Sequence, residues 1–540
     1  MKLLLRQIEV SLEYDQNDVF KAIIRKLGCG SSQIINHEIV RRSLDSRPGR
    51  SAPAFVLTVE VQMAPDFAPT AKLPRDTEVM PAEPGEPDNN VAVKLSTGGQ
   101  RPVVVGAGPA GLMAAYHLAA MGARPLLIER GSRAEDRRET VDGFWRNGSF
   151  DPENNVLFGE GGAGLFSDGK LTARSKDRPR IRQFFQTLVE SGAPADILID
   201  AEPHLGSDIL LRIVPEMRRR IESAGGEIRY NTALTDIIVE NNAIAGIKAG
   251  DHEIQTSRLI LATGHSARDV YRLLGNRNAT LQAKPFAVGV RLEIPQKQIN
   301  QAQYGKFAGH PRLGAASFKL TRRPEGAAKA CYSFCMCPGG LVIACASENG
   351  ALTTNGMSYS QRGSIFGNAA FIVPVEPEDY AGFAGPESHP ELAGLNFQLA
   401  IEKAAFAAGG GGFMVPALMF QDFIYGKVSK SLPAERSCPR SQAASFDDIL
   451  PDFVTATLRA AMPKMLRELN GITPASAILY AAETRSSSPV RVVRDENGES
   501  PAISGLFPAG EGAGYAGGIV SSAVDGLKAA EQVLTRQDKH

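Results

Sequence analysis

The feature that most limits what this chain can fold into is a glycine motif, Gly106 to Gly111 (GAGPAG), placed directly between an apolar strand and a helix. The strand is PVVV, and the helix is LMAAYHLAAMG. In this context Gly106 permits the tight turn, Gly108 lets the backbone approach a pyrophosphate, and Gly111 lets the helix pack on the strand. The helix start, with Pro109 and Ala110, presents unpaired N–H groups to the phosphates. The motif predicts a Rossmann-type βαβ unit that binds a dinucleotide.

An acidic residue, Glu129, closes the next apolar strand, PLLIER, eighteen residues after the last glycine of the motif. A carboxylate at this position accepts both ribose hydroxyls of an adenosine and disfavours a 2′-phosphate. We include the adjacent Arg130 among the predicted cofactor-binding residues. The alternative is a surface glutamate that ends a strand beside a glycine turn without a ligand.

A second glycine-rich loop, AGEGAGYAGG at 509–518, precedes the last helix and supplies a second acid and a second helix N-terminus. Two anchors imply a long, extended cofactor, which favours FAD over NAD. A helix N-terminus beside a flavin contributes about 0.3–1 kcal/mol at an exposed end by stabilising negative charge on the reduced ring. The alternative is an ordinary glycine helix start. The cofactor-binding residues predicted here are Gly510, Glu511, Gly517, Gly518 and Ile519.

Charge and composition disfavour several classes of protein. Lys+Arg and Asp+Glu both number 59, so no global field attracts nucleic acid or anionic lipid. Arg6 and Glu9 interrupt the apolar N-terminus too early for a signal peptide, and no apolar run approaches the roughly 18 residues of a membrane span. We therefore expect a cytoplasmic protein with no membrane partner, for which a nucleic-acid partner is disfavoured and the oligomeric state is open.

The length of 540 residues exceeds the roughly 250–300 at which one core stops growing, so several structural units are expected. The patterns predict an α/β fold: a Rossmann-type FAD-binding domain with an inserted α+β substrate domain and a small N-terminal α+β domain. The predicted divisions are a small N-terminal domain (1–63), a Pro-rich linker (64–100), the first part of the FAD-binding domain (101–284), the substrate domain (285–441) and the C-terminal part of the FAD-binding domain (442–540).

Seven stretches after Arg101 carry a resemblance to a known family. They are FGEGGAGLFSDGKL (158–171), PHLGSDIL (203–210), ATGHSARDVY (262–271), KPFAVGVRLE (284–293), YSFCMCPGG (332–340), ETRSSSPVRV (483–492) and PAGEGAGYAGGI (508–519). Together they resemble a bacterial group of uncharacterised FAD-dependent or NAD(FAD)-utilising dehydrogenases, within the two-dinucleotide-binding-domain flavoproteins. The group often carries Thr where Ser486 stands, which leaves a hydroxyl in place.

The resemblance implies FAD binding and leaves the physiological reaction open, because function depends on the site rather than the fold. It implies that Thr263 and Gly264 pass beneath the cofactor, that main-chain groups near Leu234 bind adenine, and that Glu511 holds the ribityl-pyrophosphate region. Two further glycines, Gly161 and Gly162, permit close approach to the flavin or the pyrophosphate. For these the alternative is a flexible surface loop.

Four side chains are candidates for chemistry. His265 follows the ATG strand near the expected flavin, although a lone histidine is more often structural. Arg485 binds an anionic substrate group or the cofactor, or else forms a structural ion pair. Cys335 and Cys337 share one face if their segment is a strand, and one of them is a candidate thiol facing the flavin. The alternative for both is a buried small hydrophobe, and the cysteine spacing does not match a metal site.

The function that these observations favour is an FAD-dependent oxidoreductase that transfers a hydride through flavin N5 to or from a small-molecule substrate or electron acceptor. We expect non-covalent FAD and, in the absence of a second strand-turn-helix glycine motif, NAD(P)H only as a transient reductant. Two rival functions stay open. They are an FAD-dependent RNA-modifying enzyme, which the neutral charge disfavours, and a non-catalytic flavin-binding protein.

Overall fold

A computed structural model describes residues 1–47, 50–67, 73–81, 100–172, 175–326, 329–385 and 389–536. Most of the predicted linker, 64–100, lies outside these residues. Within the described residues, no helix combines the length and the apolar character that crossing a bilayer requires.

The N-terminal unit is a small antiparallel sheet with one helix packed against it. The helix begins after the capping residue Asp15 and ends at Gly28, whose φ of +63° is the left-handed conformation that glycine adopts without strain. Val19 and Ile23 of the helix are buried against the sheet. The strand order is β2-β3-β1-β4. The elements are β1 (Lys2–Val10), α1 (Gln16–Leu27), β2 (Ile34–Asp45), β3 (Ala54–Met63) and β4 (Thr77–Val79).

The second unit is built on short parallel strands, most of them fully buried, with helices packed against the sheet, as the Rossmann-type prediction requires. The run of short apolar segments that begins with EIRYNT predicts a meander from the sequence. Its first strand, Glu227–Arg229, instead pairs in parallel with the strand Leu126–Ile128 and extends the central sheet. A run of three residues carries too little periodicity to separate these outcomes. The elements are β5 (Val103–Val105), α2 (Pro109–Ala120), β6 (Leu126–Ile128), α3 (Ala134–Asn147), α4 (Arg178–Glu190), α5 (Gly206–Ser223), β7 (Glu227–Arg229), β8 (Leu234–Glu240), β9 (Ala243–Ala249), β10 (His252–Gln255), β11 (Leu259–Leu261) and α6 (Arg268–Asn276).

The third unit, which we call the cap, contains a larger mixed sheet and the helices that cover it. The elements are β12 (Leu281–Ala283), β13 (Phe286–Pro295), α7 (Gln296–Tyr304), β14 (Thr321–Arg322), β15 (Cys331–Cys337), β16 (Leu341–Cys345), β17 (Thr353–Met357), β18 (Phe366–Val375), α8 (Pro377–Tyr380), α9 (Ala393–Ala408), β19 (Val415–Met419), α10 (Phe420–Ile424), β20 (Ser441–Ala443), α11 (Asp452–Arg467), β21 (Ile478–Glu483) and β22 (Val490–Val492). The sheet order is β14-β15-β18-β13-β21-β19-β20. Because β21 pairs with β13, the sheet reaches past residue 441, the predicted end of the inserted domain.

The chain then returns to the parallel sheet. The last elements are β23 (Leu506–Pro508) and α12 (Ile519–Thr535). β23 pairs in parallel with β11, which completes the order β23-β11-β5-β6-β7. The predicted fold class, a Rossmann-type FAD-binding unit with additional domains, is therefore confirmed.

Candidate functional site

The glycine turn between β5 and α2 is closely packed at Gly106 and Gly111 and open at Gly108. Gly106 has φ +99°, and a Cβ there would lie 2.5 Å from the carbonyl oxygen of Ala262. A Cβ on Gly111 would overlap the carbonyl oxygen of Gly106. By contrast, the nearest atom to a Cβ on Gly108 would be the Cα of Gly162 at 3.8 Å. Two glycines are thus required by packing, and the third leaves the space that a pyrophosphate needs.

The Glu129 carboxylate lies beneath this turn. It is 6% exposed and accepts hydrogen bonds from the backbone N–H groups of Ala107 at 2.7 Å and of Gly131 and Gly159 at 3.0 Å each. Since a carboxylate has about four acceptor positions, it retains capacity for a ribose hydroxyl. Glu129 therefore fixes the glycine turn and remains available to a ligand.

The adjacent Arg130 is directed away from Glu129. Its Nη2 donates to Asp269 at 2.5 Å, and its guanidinium lies 4.6 Å from the ring centroid of Phe158. These contacts bind the end of β6 to α6 and to the loop after α3.

The loop after α3 crosses the start of α2. Gly161 donates its N–H to the carbonyl of Ala107 at 2.8 Å. Gly162 has φ +61°, and a Cβ there would lie 3.0 Å from the Cα of Gly108. A Cβ on Gly164 would lie 3.2 Å from Ile519 Cγ1. The loop thus connects the starts of α2 and α12.

Hydrogen bonds from Arg137 fix the loop after α3. Arg137 is fully buried, and its guanidinium donates to main-chain carbonyls at 2.8–3.2 Å. Burial lowers the pKa of Arg137 to about 9, against the opposing attraction of Glu129 and Glu160. The carbonyls are those of Asn155, Val156, Gly159, Glu160 and Gly162.

The C-terminal glycine loop packs against the same helix start. Gly510 has φ +77°, and a Cβ there would lie 2.8 Å from the Cβ of Ala110. Its N–H donates to the carboxylate of Asp525 at 2.7 Å, and Arg494 binds both oxygens of that carboxylate at 2.7 and 2.9 Å. Asp525 therefore fixes the loop to α12, the helix that follows it.

Helices α2 and α12 both begin beside these glycine loops, and the N-terminus of each helix is uncapped. The N-caps are Gly108 for α2 and Gly518 for α12, and neither supplies a side-chain capping bond. The first N–H groups of each helix are consequently available to a ligand, with the positive end of the helix dipole behind them.

Thr263, Gly264 and His265 follow β11 at the same edge of the sheet. A Cβ on Gly106 would lie 3.1 Å from the Cα of Thr263, and one on Gly512 would lie 2.6 Å from the carbonyl oxygen of Gly264. The His265 side chain is 12% exposed, and its Nδ1 lies 3.5 Å from a carboxylate oxygen of Glu511. Burial lowers the pKa of His265, with Glu511 acting in the opposite direction, so the imidazole is neutral near pH 7.

Arg485 belongs to a buried ion-pair cluster. Its Nε and Nη2 donate to Glu402 at 2.9 and 2.8 Å, and Nη2 also donates to Ser347 at 2.8 Å. Although burial alone would raise it, Arg268 and Arg485 hold the pKa of Glu402 at about 2. Within the described part of the chain, Arg485 Nη1 and His265 Nδ1 are buried atoms without a hydrogen-bond partner. Both are unused polar groups, and Arg485 lies close enough to His265 to lower its pKa.

The comparisons with known proteins agree with this geometry. Residues 100–288 match the family model for pyridine nucleotide-disulphide oxidoreductases, and residues 285–486 match the model for the C-terminal domain of FAD-dependent proteins. A domain of unknown function matches residues 2–62. An uncharacterised protein from Clostridium beijerinckii is 39% identical over 545 residues, covering 100% of this chain and 99% of that protein.

The chain belongs to a family of FAD-dependent dehydrogenases. It is an oxidoreductase that uses FAD as its cofactor.

Several other proteins show a more distant similarity to this chain. The thiamine thiazole synthase of Aeropyrum pernix is 30% identical over 153 residues, covering 27% of this chain and 42% of that protein. E. coli quinol fumarate reductase aligns with a TM-score of 0.35 at 13% identity, over 82% of this chain and 71% of that one. The Bacillus halodurans glycerol-3-phosphate dehydrogenase complexed with FAD aligns with a TM-score of 0.34 at 11% identity, over 82% and 66%.

In this oxidoreductase two of the predicted glycines, Gly162 and Gly510, lie against the first turn of α2 from distant parts of the chain. Leu234, at the start of β8, is two residues from Thr232, whose N–H donates to the carbonyl of Glu129 at 2.9 Å. The segment before Leu234 therefore runs beside the predicted ribose position. Arg485 and the two cysteines belong to the cap.

Cys335 and Cys337 do not occupy a regular strand. The pairing of β15 with β18 shifts between Phe334 and Cys337, and Cys335 has φ +43°. Such a β-bulge breaks the alternation of side chains on which the same-face interpretation depended. Cys337 is fully buried, whereas Cys335 is partly exposed.

Two supporting residues were missed by the sequence analysis. Arg137 lies among other charged residues in AEDRRETVD, so no pattern distinguished it. Asp525 had a usable signal, because it is the charged residue of the otherwise uncharged stretch VSSAVDGL, where a buried carboxylate requires donors.

Proposed function

We propose that the oxidoreductase binds FAD non-covalently along the glycine loops that meet at α2 and α12. The observation that carries this proposal is the convergence of three distant segments on one helix turn. A Cβ on Gly162 would lie 3.0 Å from Gly108, one on Gly510 would lie 2.8 Å from Ala110, and one on Gly106 would lie 3.1 Å from Thr263. The loops offer mainly main-chain groups, which bind a cofactor by hydrogen bonds and not by a covalent bond.

Each predicted residue has a proposed task in that binding. Glu129 accepts the ribose hydroxyls, and main-chain groups near Leu234 bind the adenine. The N–H groups after Gly108 bind the pyrophosphate, while Gly161 and Gly162 leave room for it. Gly517, Gly518 and Ile519 at the start of α12 support negative charge on the flavin. Glu511 holds the ribityl-pyrophosphate region.

When bound, FAD supplies two-electron hydride chemistry at its N5 position. The protein's own contribution is to bind a small-molecule substrate or electron acceptor under the cap and to exclude water. We propose that His265 and the open Nη1 of Arg485 orient polar groups of that substrate, because both atoms are buried donors or acceptors without a partner among the described residues.

We propose a cytoplasmic enzyme that requires neither a nucleic acid nor a dedicated NAD(P)H domain. Equal numbers of basic and acidic residues, 59 each, oppose polyanion binding. The other glycine run, 409–412, lies between α9 and β19, which is the reverse of the strand-to-helix order that dinucleotide binding uses. We also propose that the substrate domain continues to β21, since that strand pairs within the cap sheet.

Filling the open face at Gly108 tests the cofactor proposal. Gly108 has φ −77°, which any residue adopts, so the Cβ that Gly108→Val adds enters ligand space without overlapping the protein. The control is Gly143→Ala, where a Cβ meets nothing within 4 Å. We expect the wild type and the control to carry a flavin absorbance band that acid precipitation releases as free FAD. Gly108→Val should keep the melting temperature of the apoprotein and lose FAD. A Gly108→Val protein that binds FAD normally contradicts the proposal.

Stopped-flow absorbance tests the nicotinamide proposal. Mixing with NADH or NADPH should bleach the flavin slowly, at a rate that rises linearly with nicotinamide concentration. Fast bleaching that saturates would show a dedicated nicotinamide site.

A further inference from the structure

Two cationic side chains lie on one face of the short antiparallel sheet that β12 forms with β22. Gln282 lies opposite Arg491 in this pair, and the N–H of Lys284 donates to the carbonyl of Pro489 at 2.8 Å, which extends the pairing. Because side chains alternate along a strand, Lys284 and Arg491 share the face of Gln282. The opposite face holds Val490, which is fully buried. Both cations are therefore directed away from the core and towards the same space.

Neither of these cations has a matching negative charge. Within the residues that the structure describes, the Lys284 side chain makes one hydrogen bond, to the carbonyl of Ser488 at 3.4 Å. Arg491 also makes one, from Nη1 to Gln282 at 3.5 Å, and its buried Nε has no partner there. Neither side chain forms an ion pair in that part of the chain. Burial lowers the pKa of Lys284, and repulsion from Arg491 adds to this effect against the attraction of Glu511.

The C-terminal glycine loop holds Arg491 in position. A Cβ on Gly514 would lie 2.9 Å from the Cα and 3.2 Å from the Cβ of Arg491. The ring centroid of Tyr515 lies 5.1 Å from the guanidinium of Arg491 and 4.1 Å from that of Arg494. The two arginines differ, because the charge of Arg494 is matched by Asp525 at 2.7 Å. The loop thus fixes Arg491 while its charge stays available to a ligand.

The same loop is proposed above to hold the flavin end of FAD. Tyr515 comes directly before the start of α12, whereas the pyrophosphate is proposed to bind at the start of α2. Glu511 lies 3.5 Å from Nδ1 of His265 and also acts on Lys284, so the two cations lie near a group proposed to orient the substrate. The phosphates of FAD therefore have a site of their own, and the unmatched charges require a different anion.

We propose that Lys284 and Arg491 form an oxyanion-binding subsite for a substrate or electron acceptor that carries a carboxylate or a phosphate group. This inference rests on the proposed function, because that function places the subsite beside the flavin end of the cofactor loop. Arginine presents a planar set of donors that fits two oxygens of a carboxylate or phosphate, and lysine adds a compact charge. The ligand would also supply an acceptor for the unpartnered Nε of Arg491. Even with the Glu511 carboxylate counted, one positive charge remains for it.

Anion titration of the intact holoprotein tests the subsite. The probes are inorganic phosphate and, separately, succinate, at an ionic strength kept constant with potassium chloride. The flavin difference spectrum and the melting temperature are the readouts. At least one probe should bind with saturation and raise the melting temperature, and the probe that binds identifies the ligand as a phosphate or a carboxylate. Saturable binding of neither probe to the wild type overturns the proposal.

Substitution of each cation locates the binding. Lys284→Met and Arg491→Met should weaken it roughly 10- to 100-fold, as the loss of one charged hydrogen bond predicts. The controls are Lys21→Met and Arg25→Met, which remove the same charge from exposed positions of α1 and should bind the anion as the wild type does. An Arg491→Met protein that binds as tightly as the controls contradicts the proposal.

Gln282→Glu keeps both cations and therefore decides the question if a methionine variant fails to fold. Its new carboxylate lies opposite Arg491, whose Nη1 already reaches Gln282 at 3.5 Å. The variant should keep or raise the melting temperature of the wild type, because Arg491 gains an ion pair, and should weaken anion binding as Arg491→Met does. Unchanged anion binding in a folded Gln282→Glu protein is evidence against the subsite.

The flavin content of each variant separates this inference from the cofactor proposal. All the variants should retain the FAD absorbance band, because the subsite does not hold the phosphates of FAD. Loss of FAD from Arg491→Met, together with no anion binding to the wild-type holoprotein, would assign these charges to the cofactor. That result would overturn the subsite and leave the proposed FAD site intact.

Discussion

A glycine-to-alanine change in α12 tests whether two packed helices position the cofactor loops. Gly526 lies where α12 crosses α2, and a Cβ there would lie 2.7 Å from the carbonyl carbon and 2.8 Å from the Cα of Ala110. Ordinary contact begins at 3.4 Å. Gly526→Ala must therefore move the helices apart by roughly 1 Å, because backbone atoms cannot rotate away as a side chain does. Since Ala110 also contacts Gly510, the two cofactor loops separate with the helices.

The expected magnitude follows from two opposing contributions. Replacing glycine by alanine inside a helix stabilises it by about 0.5–1 kcal/mol. Overpacking a close contact costs about 1–3 kcal/mol. The net result for Gly526→Ala is a loss of about 0–2.5 kcal/mol in the free energy of unfolding relative to the wild type, and of about 1–3 kcal/mol relative to a helical glycine-to-alanine change that meets no neighbour. If the displacement removes one hydrogen bond to a phosphate, worth about 1.5–3 kcal/mol, FAD binds roughly 10- to 100-fold more weakly.

The assay is thermal unfolding with and without FAD, together with FAD titration of the apoprotein by flavin fluorescence. The matched control is Gly143→Ala in α3, a helical glycine where a Cβ meets nothing within 4 Å. The control should melt at or above the wild-type temperature and bind FAD unchanged. The reasoning is refuted if Gly526→Ala matches this control in both measurements.

Three further predictions concern groups that support the site. Glu129→Ala leaves three N–H groups without their acceptor, so the FAD dissociation constant should rise at least tenfold in a fluorescence titration, with Glu129→Gln in between. Because the pKa of Glu402 is held at about 2, its stabilising effect is complete above its unfolded value of about 4.3 and is lost as pH falls towards 2. The melting temperature should therefore fall across that window in the wild type and fall less in Glu402→Gln. Arg137→Lys cannot serve all the carbonyls that Arg137 contacts, so limited proteolysis should cut within 155–162 faster, and equal cleavage rates would contradict this.

The fold of the cofactor unit could be predicted because its signals are local. Gly106 to Gly111, Glu129 and the loop before α12 each combine a strand, a turn and a helix within a few residues, and the strands and helices form there. The convergence of the two loops could be predicted as well, because a single extended cofactor must be held at both ends and so requires that segments distant in the chain lie close together.

The cap was less predictable because its organisation depends on long-range pairing. β21 lies about 190 residues after β13, its partner in the sheet, and nothing in ILYAAE specifies that partner. The bulge at Cys335 was equally hidden, since an extra residue in one strand leaves no mark in the apolar pattern of CYSFCMC. Arg137 became visible only when burial showed which of several neighbouring charges faces inward.

One segment connects the start of α2 to the cap. The loop from Gly159 to Lys170 touches the start of α2 through Gly162 and reaches the carbonyl of Met336 in β15 through Lys170. Arg137, from α3, holds the first part of that loop by its carbonyls. The contact of Lys170 with β15 therefore depends on the same framework that shapes the glycine turn at Gly108. A displacement of this loop would alter the glycine turn and the contact with the cap together.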